Sequence, residues 1–263
     1  MKRAIFYITI LFNFTFLFTC SELSDWFVTD EDEVNMGTDF YHQILADSSE
    51  YPVLDTVGNE QNRLLYDYID SIGHWIADHQ TVRPENEYLK YHFTVIDKDD
   101  VVNAFAVPGG YVFLYTGLIK AAANEAEIAG VIGHEIAHIA KRHGVDQLVK
   151  QMGVEYVKQL IFGDDPSLIA EVVTALVFLK FSRENEYEAD SNAVEFLITG
   201  GYNPNGMKTF LQLLADNSGW NFEPVSTHPD PKKRVEAAQR IIASKPSTVN
   251  SLPTPPKKYS PKE

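Results

Sequence analysis

Asn124-Glu-Ala-Glu-Ile-Ala-Gly-Val-Ile-Gly-His134-Glu135-Ile-Ala-His138 is the stretch that decides how the rest of this 263-residue chain is read. Its apolar spacing is that of a helix, and it carries a His-Glu-x-x-His run. Two histidines four residues apart lie on one helical face, close enough for two imidazoles to hold one metal ion. Glu135 follows the first of them and is placed to take a proton from metal-bound water. Asn124 caps the predicted helix and Glu127, three residues on, completes a capping-box pattern. Lys141, Arg142 and His143 occupy its expected last turn, which Gly144 stops.

Two histidines leave a catalytic zinc one protein ligand short, because such sites use three and keep a fourth position for water. A third histidine on the spacing His-Glu-x-x-His-x-x-Gly-x-x-His is excluded. Lys141 stands where glycine is needed and Gly144 where histidine is needed. His143 is one residue out of register and is expected to sit at the helix end as a cap. The other solution is a carboxylate from a later helix, and Glu184-Asn-Glu186-Tyr-Glu188-Ala-Asp190 is the best candidate segment. Glu186 and Asp190 share a face, so the first can coordinate zinc while the second accepts a hydrogen bond from a ligand histidine. Glu184 and Glu188 point elsewhere, toward solvent or ion pairs.

Around this centre the chain reads as α+β and mostly α, with a small β-sheet or hairpin beside the zinc-binding helix. Helical spacing runs from Gly37 to Ser48 and from Glu60 to His79. Tyr88 to Ile96 alternates and is rich in aromatic and β-branched residues, as a strand does. Val101–Val107 and Tyr111–Tyr115 are short β-type runs separated by Pro108-Gly109-Gly110, a hairpin signal. From Thr116 the chain is helical almost to residue 243. Leu168 to Phe181, apolar but only 14 residues long, is a core helix rather than a membrane span. Residues 37–243 are thus expected to form one metallopeptidase domain around this centre, and 244–263, with five prolines and four lysines, a disordered tail.

Lys2-Arg3 followed by an apolar run from Ala4 to Phe18 resembles a signal peptide, about 22 Å long as a helix at roughly 1.5 Å per residue. The single cysteine, Cys20, falls where that run stops and resembles a bacterial lipoprotein processing site. Residues 1–20 are therefore expected to export the chain and leave a lipid on Cys20, anchoring it to a membrane of the cell envelope. With no second cysteine the domain relies on its core and metal rather than on a disulfide. Residues 21–36, with Asp30-Glu31-Asp32-Glu33, read as a solvated acidic linker. The net charge of −15 argues against nucleic acid or an anionic membrane surface as a partner.

Several separated motifs occur in one order: Asn103-Ala-Phe-Ala-Val-Pro-Gly-Gly-Tyr111, Thr116-Gly-Leu-Ile, Asn124 through His138, Ser182-Arg183 with Glu186-x-x-x-Asp190, and Ser226-Thr-His228-Pro229 followed by Arg234. On these the chain, over roughly residues 36 to 240, resembles the HtpX and CAAX-prenyl-protease family of gluzincin zinc metallopeptidases. It is most similar to the soluble periplasmic BepA/LoiP-like branch. The resemblance implies one Zn2+ per chain held by His134, His138 and Glu186, with Asp190 orienting a ligand histidine and Glu135 as general base. It implies a zinc endopeptidase of protein quality control, acting on unfolded or misassembled envelope proteins. The alternative is a latent, chaperone-like binding protein on the same scaffold. Asn103, Ala104, Phe105 and Ala106 could pair their backbone with an extended substrate as an edge strand. His228 is expected either to take the fourth zinc position or to stabilise an oxyanion, and Arg234 to pin its loop to the core.

Overall fold

The computed structural model describes residues 20–84, 86–163, 165–177, 180–216, 228 and 230–259. Residues 1–19 of the expected signal segment 1–20 and the Gly219-Trp220 turn lie outside the described residues, as do Ser226, Thr227 and Pro229 on either side of His228. The metal-binding stretch forms helix α5 (Glu125–Ala140), and every one of its residues is buried. A helix with no solvent face must be surrounded, and its mostly apolar composition allows that. Around it, or leading to it, are α1 (Cys20–Phe27), α2 (Asp30–Ala46), α3 (Glu60–Asp78), α4 (Thr116–Ala121), α6 (His143–Met152), α7 (Val154–Phe162), α8 (Pro166–Val177), α9 (Arg183–Thr199), α10 (Asn205–Asp216) and α11 (Pro231–Ala243). Ile132, Ile136, Val194, Phe196 and Leu197 build the core where α5 meets α9. Gly130 of α5 lies against the Met207 backbone, and Gly206 of α10 against the Ala126 carbonyl. Such close approach needs glycine, since an added Cβ at 206 would stand 2.3 Å from that oxygen.

Three strands, β1 (His92–Ile96), β2 (Ala104–Val107) and β3 (Tyr111–Tyr115), form one sheet in the order β1-β3-β2. β2 and β3 are the expected hairpin, antiparallel with Phe105 opposite Phe113. Gly109 and Gly110 make its turn at φ +82° and +104°, a region other residues rarely enter. β1 runs parallel to β3, with Thr94 beside Phe113, so the sheet is mixed. Among the described strands β2 lies at the edge, on the side of α5. Tyr88 to Tyr91 do not join β1, because the Asn86 side chain accepts from the Tyr88 and Leu89 amides and holds a turn there.

Three expectations are corrected. The acidic run is not a linker: Asp30 to Glu33 form the first turn of α2, capped by Thr29 in a reciprocal box with Asp32. Carboxylates at a helix N-terminus meet the positive end of its dipole, which offsets their mutual repulsion. Glu33 is buried there, facing Arg83 at 3.2 Å and Arg142 at 3.4 Å. The metal-binding helix does not run on to Gly144. It ends at Ala140, Arg142 takes a left-handed conformation at φ 58°, and α6 starts at His143. The tail is ordered to residue 259: a 3-10 turn (Ser247–Ser251) leads into a strap bound by Glu125 N–H to the Pro255 carbonyl at 2.9 Å and by the Tyr259 ring against Tyr68.

Candidate metal centre

His134 and His138 leave α5 on one face, and Glu186 in the first turn of α9 faces them. The N-cap of α9 is Ser182, whose hydroxyl accepts from the Asn185 amide, so the helix starts just before the residue that matters. His134 Nε2 and His138 Nε2 are 3.1 Å apart. Glu186 Oε2 is 3.6 Å from His134 Nε2, and Glu186 Oε1 is 3.6 Å from His138 Nε2. His228 brings a fourth donor, its Nδ1 2.9 Å from Glu186 Oε1 and 3.3 Å from His134 Nε2. Donor atoms of these four residues all lie within 4.8 Å of one another, and all four side chains are buried. Glu135 sits alongside, 3.7 Å from His228 Nε2.

Hydrogen bonds to the far side of each ring dictate which nitrogen is bare. Asp190 Oδ1 lies 3.0 Å from His134 Nδ1, and a carboxylate only accepts, so Nδ1 carries the proton and Nε2 its lone pair. Arg234 forks onto Asp190 at 2.8 Å and 2.7 Å, while its Nη1 lies 2.7 Å from Glu186 Oε2 without hydrogen-bond geometry. Burial pushes the Asp190 carboxyl up, but Arg234 and His134 outweigh it and bring its pKa down to about 2. Burial likewise works against ionised Glu186, yet His228 and Arg234 hold its pKa below the ordinary carboxylate value. His138, enclosed and among other rings, is held well below the usual histidine range, chiefly by burial. A neutral imidazole is the form that binds a metal.

The donor set fits a zinc ion. Two neutral imidazoles and a carboxylate are zinc's usual company. Glu186 Oε2 has no hydrogen-bond partner among the described residues but is ion-paired with Arg234 at 2.7 Å, while Oε1 faces His138 Nε2 and His228 Nδ1. Arg234, expected to pin the His228 loop to the core, lies against Asp190 and Glu186. Glu188 pairs with Lys141 at 2.7 Å and lies 3.2 Å from His143 Nε2. His143 was not expected where it lies: its ring rests on His138, Nδ1 to Nδ1 at 3.0 Å, and Phe181 stacks on the same ring with centroids 4.1 Å apart. No local pattern announces this, because the turn that returns His143 is made by an arginine in a left-handed conformation.

A mostly helical scaffold, with two histidines on one buried helix and a glutamate on the helix packed against it, defines a metallopeptidase core. Residues 66–242 match the profile of Peptidase family M48, and the chain belongs to that family. The beta-barrel assembly-enhancing protease of Escherichia coli (strain K12) is 29% identical over 236 residues, 83% of this chain and 46% of that protein. Its counterpart from Yersinia pestis is 32% identical over 193 residues, 67% of this chain and 38% of the relative. The mitochondrial metalloendopeptidase OMA1 of Arabidopsis thaliana is 31% identical over 150 residues, 56% of this chain and 31% of that protein. The chain spans less than half the length of each of these three relatives.

Proposed function

We propose that this chain is a zinc metalloendopeptidase that hydrolyses peptide bonds of unfolded or misassembled cell-envelope proteins. The convergence of His134, His138, Glu186 and His228 donor atoms within 4.8 Å, with Glu135 beside them, carries this reading. His134, His138 and Glu186 are the proposed ligands, and Asp190 with Arg234 keeps His134 in its coordinating tautomer. A zinc ion held there supplies Lewis acidity, polarising a carbonyl and lowering the pKa of water. Glu135 takes the proton from the attacking water and returns it to the leaving amine.

Two cavities support an extended substrate laid along β2. One, small, is lined by Asn103, Ala104, Val131, His134, Glu135 and Leu214 among others. The second, smaller still, is lined by Ala106, Val107, Pro108, His138, Arg142 and Phe181 among others. They lie at opposite ends of the strand and share the metal-ligand pair between them. Asn103 Oδ1, buried and without a hydrogen-bond partner among the described residues, is a ready acceptor for a substrate amide. Backbone pairing of this kind reads chain conformation more than side chains, so the specificity is broad.

Export by residues 1–20 and a lipid on Cys20 complete the proposal and put the enzyme on a membrane of the bacterial envelope, facing the periplasm. A relative named for enhancing beta-barrel assembly supports that setting. Among the described residues no helix is long and apolar enough to cross a membrane. The test is casein digestion by zinc-loaded wild type and Glu135→Gln. Loss of a general base predicts a rate lower by about 10²–10⁴-fold with zinc still bound. The second reading, a latent chaperone-like binding protein, draws on the fourth donor His228; equal and negligible cleavage by the two proteins favours it.

A further inference from the structure

We propose that Glu188 and His143 form a hydrogen-bonded relay that sets the tautomer of His138 and so tunes the metal affinity of the centre. The proposal rests on the reading of His134, His138 and Glu186 as ligands. His134 has a carboxylate, Asp190, directly on its Nδ1. His138 has none: its Nδ1 faces another imidazole, His143 Nδ1, at 3.0 Å. Two imidazole nitrogens at that distance need one proton between them, and the pair alone does not say which ring owns it.

Glu188 decides. Its Oε2 lies 3.2 Å from His143 Nε2, and a carboxylate accepts but does not donate. His143 therefore carries its proton on Nε2, which leaves Nδ1 as an acceptor. His138 must then donate from Nδ1, which leaves its Nε2 bare and turned toward His134 Nε2 and Glu186 Oε1. The opposite arrangement would put a proton into the space between the ligand atoms. Lys141 Nζ, 2.7 Å from Glu188 Oε1, holds the carboxylate in place from the other side.

The corner that presents His143 is built for it. Arg142, at φ 58°, adopts a conformation unfavourable for a residue with a Cβ. Its guanidinium donates to the Val28 carbonyl at 2.6 Å and lies 3.4 Å from Asp25, 3.6 Å from Asp30 and 3.4 Å from Glu33. The amino-terminal acidic residues thus stabilise the reversal that folds His143, itself 2% exposed, back over His138. His143 and Glu188 are positioning residues; neither belongs to the group of donors that could hold the ion.

Zinc dissociation constants by chelator competition test the relay, using wild type, His143→Leu, His143→Asn and Glu188→Ala. Asparagine keeps an acceptor oxygen where Nδ1 stood; leucine does not. Removing such an outer hydrogen bond is expected to weaken zinc binding by about 10–100-fold in His143→Leu, while His143→Asn stays within roughly threefold of wild type and Glu188→Ala falls between. A nitrogen-15 NMR spectrum of metal-free wild type should find the His138 proton on Nδ1 and the His143 proton on Nε2. A His138 proton on Nε2, or equal zinc affinity in all four proteins, overturns the relay and leaves the metal reading intact. Wild type that binds no zinc overturns both. Should His143→Leu not fold, the asparagine and alanine variants and the wild-type spectrum still decide.

Discussion

His228 Nδ1 lies 2.9 Å from Glu186 Oε1. On the proposed zinc reading, a fourth donor there would compete for the position a catalytic zinc keeps for water. On that reading His228→Ala raises the casein rate, by about tenfold if the competition is worth roughly 1.4 kcal/mol. A lower rate assigns the ring to oxyanion stabilisation, and an unchanged rate discards both roles. Asp190 contributes to the pH dependence of stability in the metal-free protein. Its pKa falls to about 2 on folding, from roughly 3.9 in an unfolded chain. A depressed carboxylate stabilises the fold above the unfolded value and loses that contribution as pH falls toward the folded one. Urea unfolding of wild type should therefore lose on the order of 2 kcal/mol between about pH 4 and pH 2. Asp190→Asn should lack this component and be less stable at neutral pH by up to about 3–5 kcal/mol, because buried Arg234 loses one of its two carboxylate partners and keeps only Glu186 at 2.7 Å. A wild type and variant with parallel pH profiles would contradict this.

At the scale of elements, the site depends on how tightly α5 is gripped. Gly206 allows α10 to touch the α5 backbone at Ala126. Alanine there gains up to about 1 kcal/mol of helix propensity but forces an overpacked contact that costs about 1–3 kcal/mol. A Cβ 2.3 Å from a carbonyl oxygen cannot be absorbed by a side-chain rotation, so the net effect of Gly206→Ala is a loss of about 1–2 kcal/mol in urea unfolding. A stabilised variant would show that α10 slides freely. Elements with local signals were legible: the Asn124-capped start of α5, the α3 helix, and the Pro108-Gly109-Gly110 hairpin. Less legible were elements whose boundary is set by a distant partner. The acidic run reads as a linker until Arg83 and Arg142 supply its counter-charge, and α5 ends three residues before its expected stop because Arg142 tolerates a left-handed turn in that same cluster.

In the molecule as a whole, the chain closes on itself through its last described segment. The Asn203 amide donates to the Pro253 carbonyl at 2.9 Å, and Glu125 to Pro255 at 2.9 Å, so the strap satisfies the first free N–H of the metal-binding helix. Lys257 Nζ donates to the Ile119 and Lys120 carbonyls at 2.8 and 3.0 Å. Below it Glu125 accepts from the Tyr68 and Tyr202 hydroxyls, each at 2.8 Å. Truncation after Leu252 should expose that buried carboxylate and remove about 1–3 kcal/mol, lowering the melting temperature by roughly 3–10 °C. An unchanged melting curve would show the strap to be dispensable. Its proline-rich composition lacks helical or strand periodicity, and without a visible docking surface such a segment reads as disorder.

The amino-acid sequence by itself placed His134, Glu135 and His138 on one helix and Glu186 and Asp190 on a second. His134 and His138, like Glu186 and Asp190, stand four residues apart, and helical geometry converts that step directly into a shared face. Tertiary structure alone decided which partners complete the set. His228 reaches a donor 94 residues away, and Glu188 lies 45 residues beyond the His143 it fixes. Contacts at such separation come from packing rather than from local propensity, and neither the proton on His138 nor the charge that holds Arg142 is written in any short run of residues.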